Sequence, residues 1–124
     1  MKKIIKTDEA PKPSGAYSQA VEFNGLIFVS GQLAKDKESG EIIKGDITAQ
    51  TKKVIQNIEE ILKAANSNLD NVLMSFVFLR SRELFGKFNE EYKKHFKKEL
   101  PARVTVGVEL SPNALIEIAV IAHK

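Results

Sequence analysis

The sequence predicts an α+β fold of six strands and two helices in the order β-β-β-α-β-α-β-β. Three observations lead to this prediction. Apolar and polar residues alternate near both ends of the chain, as in strands that have one solvated face. Two central segments carry apolar residues at the spacing of amphipathic helices. Between them lies Val72–Leu79, which is apolar at nearly every position and is therefore expected to be a strand buried on both faces.

The first half of the chain contains a predicted hairpin and the first helix. Asn24-Gly25 separates the strand segments 18–23 and 26–33, and this dipeptide favours a two-residue turn because both turn residues need positive φ. After the polar segment 35–45, Asp46 is a candidate N-cap for a helix that extends to about residue 65.

The second half contains the other helix and the last strands. Ser81 is a candidate N-cap for a helix with Leu84, Phe85, Phe88, Tyr92 and Phe96 on its inner side. Strands are predicted over 103–110 and 115–122. Two helices cover only one face of a sheet of this size. Because the strands offer few polar faces, we expect oligomerisation through the uncovered face.

The length predicts one domain over residues 1–124. The composition, with 43% hydrophobic and 28% charged residues, is typical of a soluble globular protein. Cysteine is absent, which excludes thiol catalysis, disulfides and thiolate metal sites and fits a cytoplasmic location. The two histidines, His95 and His123, have no ligand-spaced partner, so no metal site is expected. Neither a signal peptide nor a membrane-spanning segment is predicted.

The basic residues give a formal charge of +3 and cluster in lysine doublets at 52–53, 93–94 and 97–98. Glutamates are interspersed among them, which favours solvated helix faces over a nucleic-acid footprint. No phosphate-binding loop motif is present, and neither histidine suggests a Ser-His-Asp arrangement.

Polar residues that interrupt the apolar strands are the candidates for a site. By alternation, each of the following pairs is expected on one side of its strand: Ser30 and Gln32, Arg103 and Thr105, Glu117 and Ala119. If all these sides belong to the uncovered face, Arg103 needs an anionic partner. That partner is either a protein carboxylate, from Glu109 or Glu117, or the carboxylate of a ligand, which the guanidinium fork matches.

Two further side chains leave alternatives open. Tyr17, in the N-terminal loop, either packs onto the core or faces a site. Asn89 lies in the second predicted helix, where asparagine is a mediocre helix former, so its side chain is expected to be hydrogen-bonded. The partner is either the protein or a ligand.

Five stretches occur in the order that is characteristic of one family. They are GAYSQAV (15–21), FVSGQ (28–32), FNEEYKKHF (88–96), PARVTV (101–106) and ALIEIAVIA (114–122). Each stretch is weakly specific alone, but the five in register are very specific. On these motifs the chain strongly resembles the RidA family, also called the YjgF family, over essentially its whole length.

The resemblance implies a chorismate-mutase-like α+β fold and a homotrimer. In that family the sheets pack into a central barrel, and three clefts lie between neighbouring subunits. Active members hydrolyse reactive imines and enamines, such as 2-aminoacrylate and 2-iminobutanoate, to 2-oxo acids and ammonia. These members need no cofactor. The partners that the resemblance implies are small 2-imino and 2-oxo acids.

The resemblance also implies roles for particular residues. Arg103 matches the arginine that binds the substrate carboxylate. Thr105 stands where many relatives have cysteine, at a position that contributes backbone hydrogen bonds to the substrate. The remaining matches wall, line or support the cleft: Tyr17, Phe85, Ser30, Gly31 and Asn89.

The last strand departs from the family pattern. Relatives typically read E-I-E-A-I-A, and the resemblance implies that the second glutamate assists the attacking water. That position is Ala119 here, so weak activity is expected, unless Glu117, about 6–7 Å along the same side of the strand, substitutes for it. One alternative is a non-catalytic binder or sensor of 2-oxo acids in the same cleft. An RNA-directed role, as ribonuclease or translation inhibitor, is the less favoured one.

Overall fold

The computed structural model describes all 124 residues as one six-stranded mixed sheet with two helices on one face. The strands are β1 (Lys3–Ile5), β2 (Ala20–Phe23), β3 (Leu26–Gln32), β4 (Val72–Leu79), β5 (Ala102–Gly107) and β6 (Ile116–His123), and the helices are α1 (Ile47–Ala64) and α2 (Phe85–His95). Their order along the chain confirms the predicted α+β succession. Across the sheet the order is β1-β2-β3-β6-β4-β5, and only β4 and β5 pair in parallel, joined by the α2 crossover.

The hairpin between β2 and β3 has the predicted two-residue turn. Asn24 and Gly25 have φ values of 51° and 80°, so both adopt the left-handed conformation that such a turn requires. Phe23 and Leu26 close the ladder directly beside the turn.

The core lies between the two helices and the covered face of the sheet. Asp46 caps α1 as predicted, because its carboxylate accepts a hydrogen bond of 3.0 Å from the amide of Ala49. The α1 residues facing the sheet and α2 are completely buried; they are Val54, Ile55, Ile58, Ile61 and Leu62. Neither helix combines the length and apolar character needed to cross a membrane.

The start of α2 and the end of β5 differ from the sequence expectation. Ser81 caps a 3-10 turn, Arg82–Leu84, by accepting a hydrogen bond from the Glu83 amide, and α2 begins only after this turn. β5 ends at Gly107 rather than at residue 110, because its partner β4 ends at Leu79 and offers no further ladder. The chain beyond is held instead by the Arg80 guanidinium, which donates to three backbone carbonyls of residues 110–114.

The second face of the sheet carries no helix and is apolar. It presents Leu26 and Phe28 of β3, Phe76 and Phe78 of β4, and Val104 and Val106 of β5. Val72–Leu79 was expected to be buried on both faces. Within one chain only the helix-covered face is buried, and Phe76 and Phe78 remain partly exposed.

A bulge in β3 places Ser30 and Gln32, which were predicted to share one side of the strand, on different sides. The ladder between β3 and β6 shifts register between Val29 and Gln32. Gln32 therefore turns into the covered side, where it is 6% exposed, whereas Ser30 stays on the open side. The expectation that Ser30 and Gln32 share one side is wrong for this reason.

The loop before β2 is anchored by the buried amide of Gln19. Its Oε1 accepts from the amide of Thr7 at 2.7 Å, and its Nε2 donates to the carbonyls of Thr7 and Pro11, each at 3.0 Å. One side chain thus satisfies backbone groups of a segment that belongs to no strand or helix, and it fixes the course of residues 7–11.

We predict that Gln19→Leu lowers the free energy of unfolding by about 1–3 kcal/mol, because it leaves partly buried backbone groups without partners. Denaturant unfolding at a fixed protein concentration measures this loss. Glu9→Gln is the matched control, since it removes only an exposed contact of the same loop with Lys37. A Gln19→Leu protein as stable as the Glu9→Gln protein would contradict the anchoring role.

Candidate active site

The sheet divides the predicted site residues between its two faces. Arg103 and Thr105 of β5 lie in register with Ser75 and Val77 of β4, which are completely buried beneath the helices. Side chains in register on neighbouring strands point to the same side of a sheet. The two β5 side chains therefore lie on the helix-covered side.

Glu117 and Ala119 of β6 lie on the opposite side. They are in register with Phe78 and Phe76, which belong to the open face. The condition that all the polar sides belong to the uncovered face is therefore not met: β4 lies between β5 and β6, and the polar residues of the two strands are in register with β4 residues that point to opposite faces. We call Phe85, Asn89, Arg103 and Thr105 the arginine half-site and Tyr17, Ser30, Gly31 and Glu117 the glutamate half-site.

In the arginine half-site, α2 holds the guanidinium of Arg103 in place. Nη1 of Arg103 donates a hydrogen bond of 2.8 Å to Oδ1 of Asn89, so the side-chain oxygen of Asn89 has a protein partner. The guanidinium carbon lies 4.9 Å from the ring centre of Tyr92 and 5.5 Å from those of Phe85 and Phe88. At these distances the rings attract the cation, and together they restrict its orientation.

Arg103 forms no ion pair with any carboxylate of the chain, including Glu109 and Glu117, the two predicted protein partners. An arginine has five N–H donors, and only one is engaged with a side chain here. The charge is oriented but unneutralised, which is the arrangement expected of an anchor for an external carboxylate. Next to it, Phe85, Thr105 and Arg82 line a depression of about 380 Å³.

The glutamate half-site is a second depression, of about 280 Å³, at the junction of the N-terminal loop with β3 and β6. Tyr17 does not pack onto the core, since 46% of it is exposed. Its hydroxyl accepts a hydrogen bond from the amide of Ser14 at 3.2 Å, which holds the phenol at the rim. The hydroxyl of Ser30 is directed to the backbone, where it donates to the carbonyl of Ser18 at 2.6 Å.

Glu117 and Gly31 are in direct contact in this half-site. A Cβ atom at position 31 would collide with the Glu117 carboxylate, so the carboxylate occupies its place only because residue 31 is glycine. Partial burial removes the carboxyl from water and raises the pKa of Glu117. Its proton affinity is thus higher than that of an ordinary surface carboxylate.

Ala119 lies outside both depressions. It is half-buried on the open face in register with Phe76, two residues along β6 from Glu117. The carboxylate that faces the Tyr17 depression therefore comes from Glu117.

Sequence reasoning missed five residues that border the half-sites. Phe88 and Tyr92 contribute rings to the arginine half-site, but their helical spacing with Phe85 is equally typical of a core stripe, so no sequence signal separated the two uses. Lys12 and Lys35 line the glutamate half-site, and Arg82 borders the arginine half-site. Each belongs to a loop or turn whose course depends on contacts distant in sequence.

A family model, related sequences and solved structures all match this chain over most of its length. The family model described as "Endoribonuclease L-PSP" matches residues 7–124. A "RutC family protein" of Sulfurisphaera tokodaii is 51% identical over 121 residues, which are 97% of each chain. The rat protein named "2-iminobutanoate/2-iminopropanoate deaminase" is 42% identical, and the match covers 98% of this chain and 90% of the rat protein.

A solved structure is also similar over nearly the whole length of the chain. RidA from an Antarctic Psychrobacter superposes with a TM-score of 0.93 at 35% identity, covering 98% of this chain and 99% of that one. Fold, sequence motifs and relatives therefore agree over nearly the whole length, and the chain belongs to the endoribonuclease L-PSP family, which includes the RidA proteins that its five motifs resemble.

Proposed function

We propose that the protein hydrolyses 2-imino acids and their enamine tautomers, such as 2-iminobutanoate and 2-aminoacrylate, to 2-oxo acids and ammonia. The observation that carries this proposal is the oriented, unpaired guanidinium of Arg103, which suits a small carboxylate. The name of the rat relative supports the same reaction class. Hydrolysis of an imine needs a bound water and proton transfers only, so the scheme includes no cofactor.

The complete site is proposed to form between two subunits. The two half-sites lie on opposite faces of one sheet, so the side chains of Arg103 and Glu117 from the same chain cannot face one ligand. The apolar open face supplies a reason for association, because such a surface is stabilised when it is removed from water. The homotrimer implied by the family resemblance would bring the arginine half-site of one subunit to the glutamate half-site of its neighbour.

In this scheme Arg103 binds the substrate carboxylate through its remaining N–H donors. Backbone groups of Thr105 and Gly31 polarise the imine and hold the water. The Glu117 carboxylate takes a proton from the water as its oxygen bonds to C2, and the C=N double bond becomes a single bond. The same carboxyl returns the proton to nitrogen, which gives a 2-amino-2-hydroxy acid. It then takes the hydroxyl proton and passes it to nitrogen as the C–N bond breaks, so the C2–O bond becomes the carbonyl of the 2-oxo acid and ammonia leaves.

Weak activity was expected because Ala119 stands where relatives have a glutamate. The position of Glu117 removes the reason for this expectation. The resemblance directed attention to Ala119, but Glu117 is the residue that lines the depression with Tyr17 and Gly31. We therefore propose that Glu117 assists the water. A non-catalytic binder of 2-oxo acids is the outcome if turnover is absent while 2-oxo acid binding depends on Arg103.

The family description also names a ribonuclease. In this chain His95 is held by Glu91, with Nε2 and Oε2 2.7 Å apart, and His123 lies at the end of β6. The two histidines therefore form no catalytic pair, and nothing in the geometry favours an RNA-directed role over imine hydrolysis.

We predict that Arg103→Ala lowers kcat/KM for 2-iminobutanoate by about 30- to 1000-fold, because the carboxylate loses a charged hydrogen-bonding partner. Arg103→Lys keeps the charge but loses the fork, and should give an intermediate loss. The assay generates the imine in situ and follows the release of 2-oxobutanoate above the rate in buffer. Lys52→Ala, on the exposed side of α1, is the control. Full activity in Arg103→Ala would remove Arg103 from the site.

We predict that Glu117→Gln lowers kcat by about 10²–10⁴-fold, the usual contribution of a general acid–base group. The acid limb of the wild-type pH–rate profile should lie above 4.5, since burial raises the pKa of Glu117 from that value. Activity should fall as the pH drops through this pKa, because protonation removes the base.

The melting temperature of Glu117→Gln shows whether its loss of activity is caused by the missing carboxylate or by unfolding. A carboxyl whose pKa is raised on folding stabilises the fold below its unfolded-state pKa and progressively loses that contribution as the pH rises through the raised value. At pH 7 the ionised Glu117 is therefore unfavourable, and Glu117→Gln should melt at or above the wild-type temperature. An active Glu117→Gln protein with an unchanged acid limb would show that another group assists the water.

A further inference from the structure

The depression of the glutamate half-site carries more positive charge than a monocarboxylate requires. Lys12 and Lys35 line it together with Tyr17 and Glu117. Neither lysine forms an ion pair with any carboxylate of the chain. Glu117 is the only acidic residue of the lining, so two cations face one carboxylate there.

The placement of Lys35 makes it the stronger of the two cations. It follows the buried Ala34, and its backbone carbonyl accepts a hydrogen bond of 3.0 Å from the side chain of Asn57 on α1. Lys35 is also half-buried, whereas Lys12 is exposed at the rim. A half-buried charge is screened less by solvent than an exposed one, so it has the larger effect on a bound anion.

Lys35 and Glu117 both act on the phenol of Tyr17. The pKa of Tyr17 is lowered mainly by its hydrogen bonds with Ser14; Lys35 lowers it further, and Glu117 opposes this. The lysine, the phenol and the carboxylate thus share one small space. Glu117 is not neutralised by Lys35, since the two form no ion pair and burial alone accounts for the shift in the pKa of Glu117.

The arginine half-site adds a further cation. Arg82 lines the depression beside Phe85 and Thr105, and it too forms no ion pair. One carboxylate on Arg103 would leave Arg82, Lys12 and Lys35 without anionic partners. A ligand with a second carboxylate would neutralise more of this charge.

We propose that the preferred substrates are 2-imino dicarboxylic acids of four or five carbons, with the C1 carboxylate on Arg103 and the side-chain carboxylate on Lys35, assisted by Lys12. The substrate class rests on the proposed imine hydrolysis and on the pairing of the two half-sites. The depression of about 280 Å³ gives a short acidic side chain room beside Glu117. Such imines arise when an oxidase or a dehydrogenase removes hydride from the α-carbon of an acidic amino acid.

The test compares two imines of equal length that differ in charge. 2-Iminoglutarate and 2-iminopentanoate, a monocarboxylate with an uncharged side chain, are generated in situ from L-glutamate and L-norvaline by amino-acid oxidases, and release of each 2-oxo acid is followed at low imine concentration. The measured quantity is the ratio of kcat/KM for the dicarboxylate to that for the monocarboxylate. We expect a wild-type ratio of about 10 or more that decreases with added salt.

Variants of Lys35 test whether this residue causes the preference for the dicarboxylate. Lys35→Gln should lower the ratio by about 5- to 20-fold, as expected for loss of a charge-assisted hydrogen bond, and Lys35→Arg should retain most of it. Lys52→Gln makes the same change of charge on the outer side of α1 and should leave the ratio unchanged. A wild-type ratio of one or less, or a Lys35→Gln protein with the wild-type ratio, would overturn the proposal.

A binding measurement separates failure of this inference from failure of the proposed function. Calorimetric titration with 2-oxoglutarate and 2-oxopentanoate reports the same preference without turnover. Tighter binding of the dicarboxylate, lost in Lys35→Gln, supports the specificity even if neither imine is hydrolysed, in which case only the proposed reaction fails. Hydrolysis of both imines together with equal binding of both acids leaves the reaction standing and removes the specificity.

Discussion

Alternation of side chains across the sheet is the constraint on which the rest of this structure depends. Two helices cover one face, and every second residue of each strand must face the other way. The same alternation that buries Val77 exposes Phe76 and Phe78, and it sends Arg103 and Glu117 to opposite sides. The exposure of an apolar sheet face and the division of the candidate site between two faces therefore have the same cause. Association through the open face would resolve both at once, which is the basis of the proposed inter-subunit site.

Within one half of that site, preorganisation of Arg103 is achieved without a counter-ion. An ion pair would hold the guanidinium but would also occupy the donors that a ligand needs. Aromatic rings and a neutral amide orient the group and leave its charge unsatisfied. The helix that supplies them is itself fixed through Phe88 and Tyr92, which are buried in the core. Core packing and the orientation of Arg103 thus depend on the same side chains.

The sequence was sufficient to predict the features that depend on local chemistry. The Asn24-Gly25 turn, the Asp46 cap and the β4 segment are as expected, since each is determined by backbone conformation or by a continuous apolar run. The errors depend on partners distant in the chain. The bulge that turns Gln32 inward is a property of the β3–β6 ladder, and the end of β5 is set by the end of β4. The candidate site residues fall into two groups on opposite faces of the sheet, because alternation alone could not tell which face of β5 corresponds to which face of β6.

The contact between Gly31 and Glu117 has a consequence for how this fold can diversify. The carboxylate keeps its position because residue 31 has no side chain, so a single methyl group there would displace it without altering β6 or Arg103. Loss of the proposed proton-transfer group and loss of the proposed carboxylate anchor can therefore occur independently, each at one position. Under the proposed function, a duplicated copy of such a chain could pass from hydrolase to ligand receptor in one substitution, with its fold and Arg103 intact.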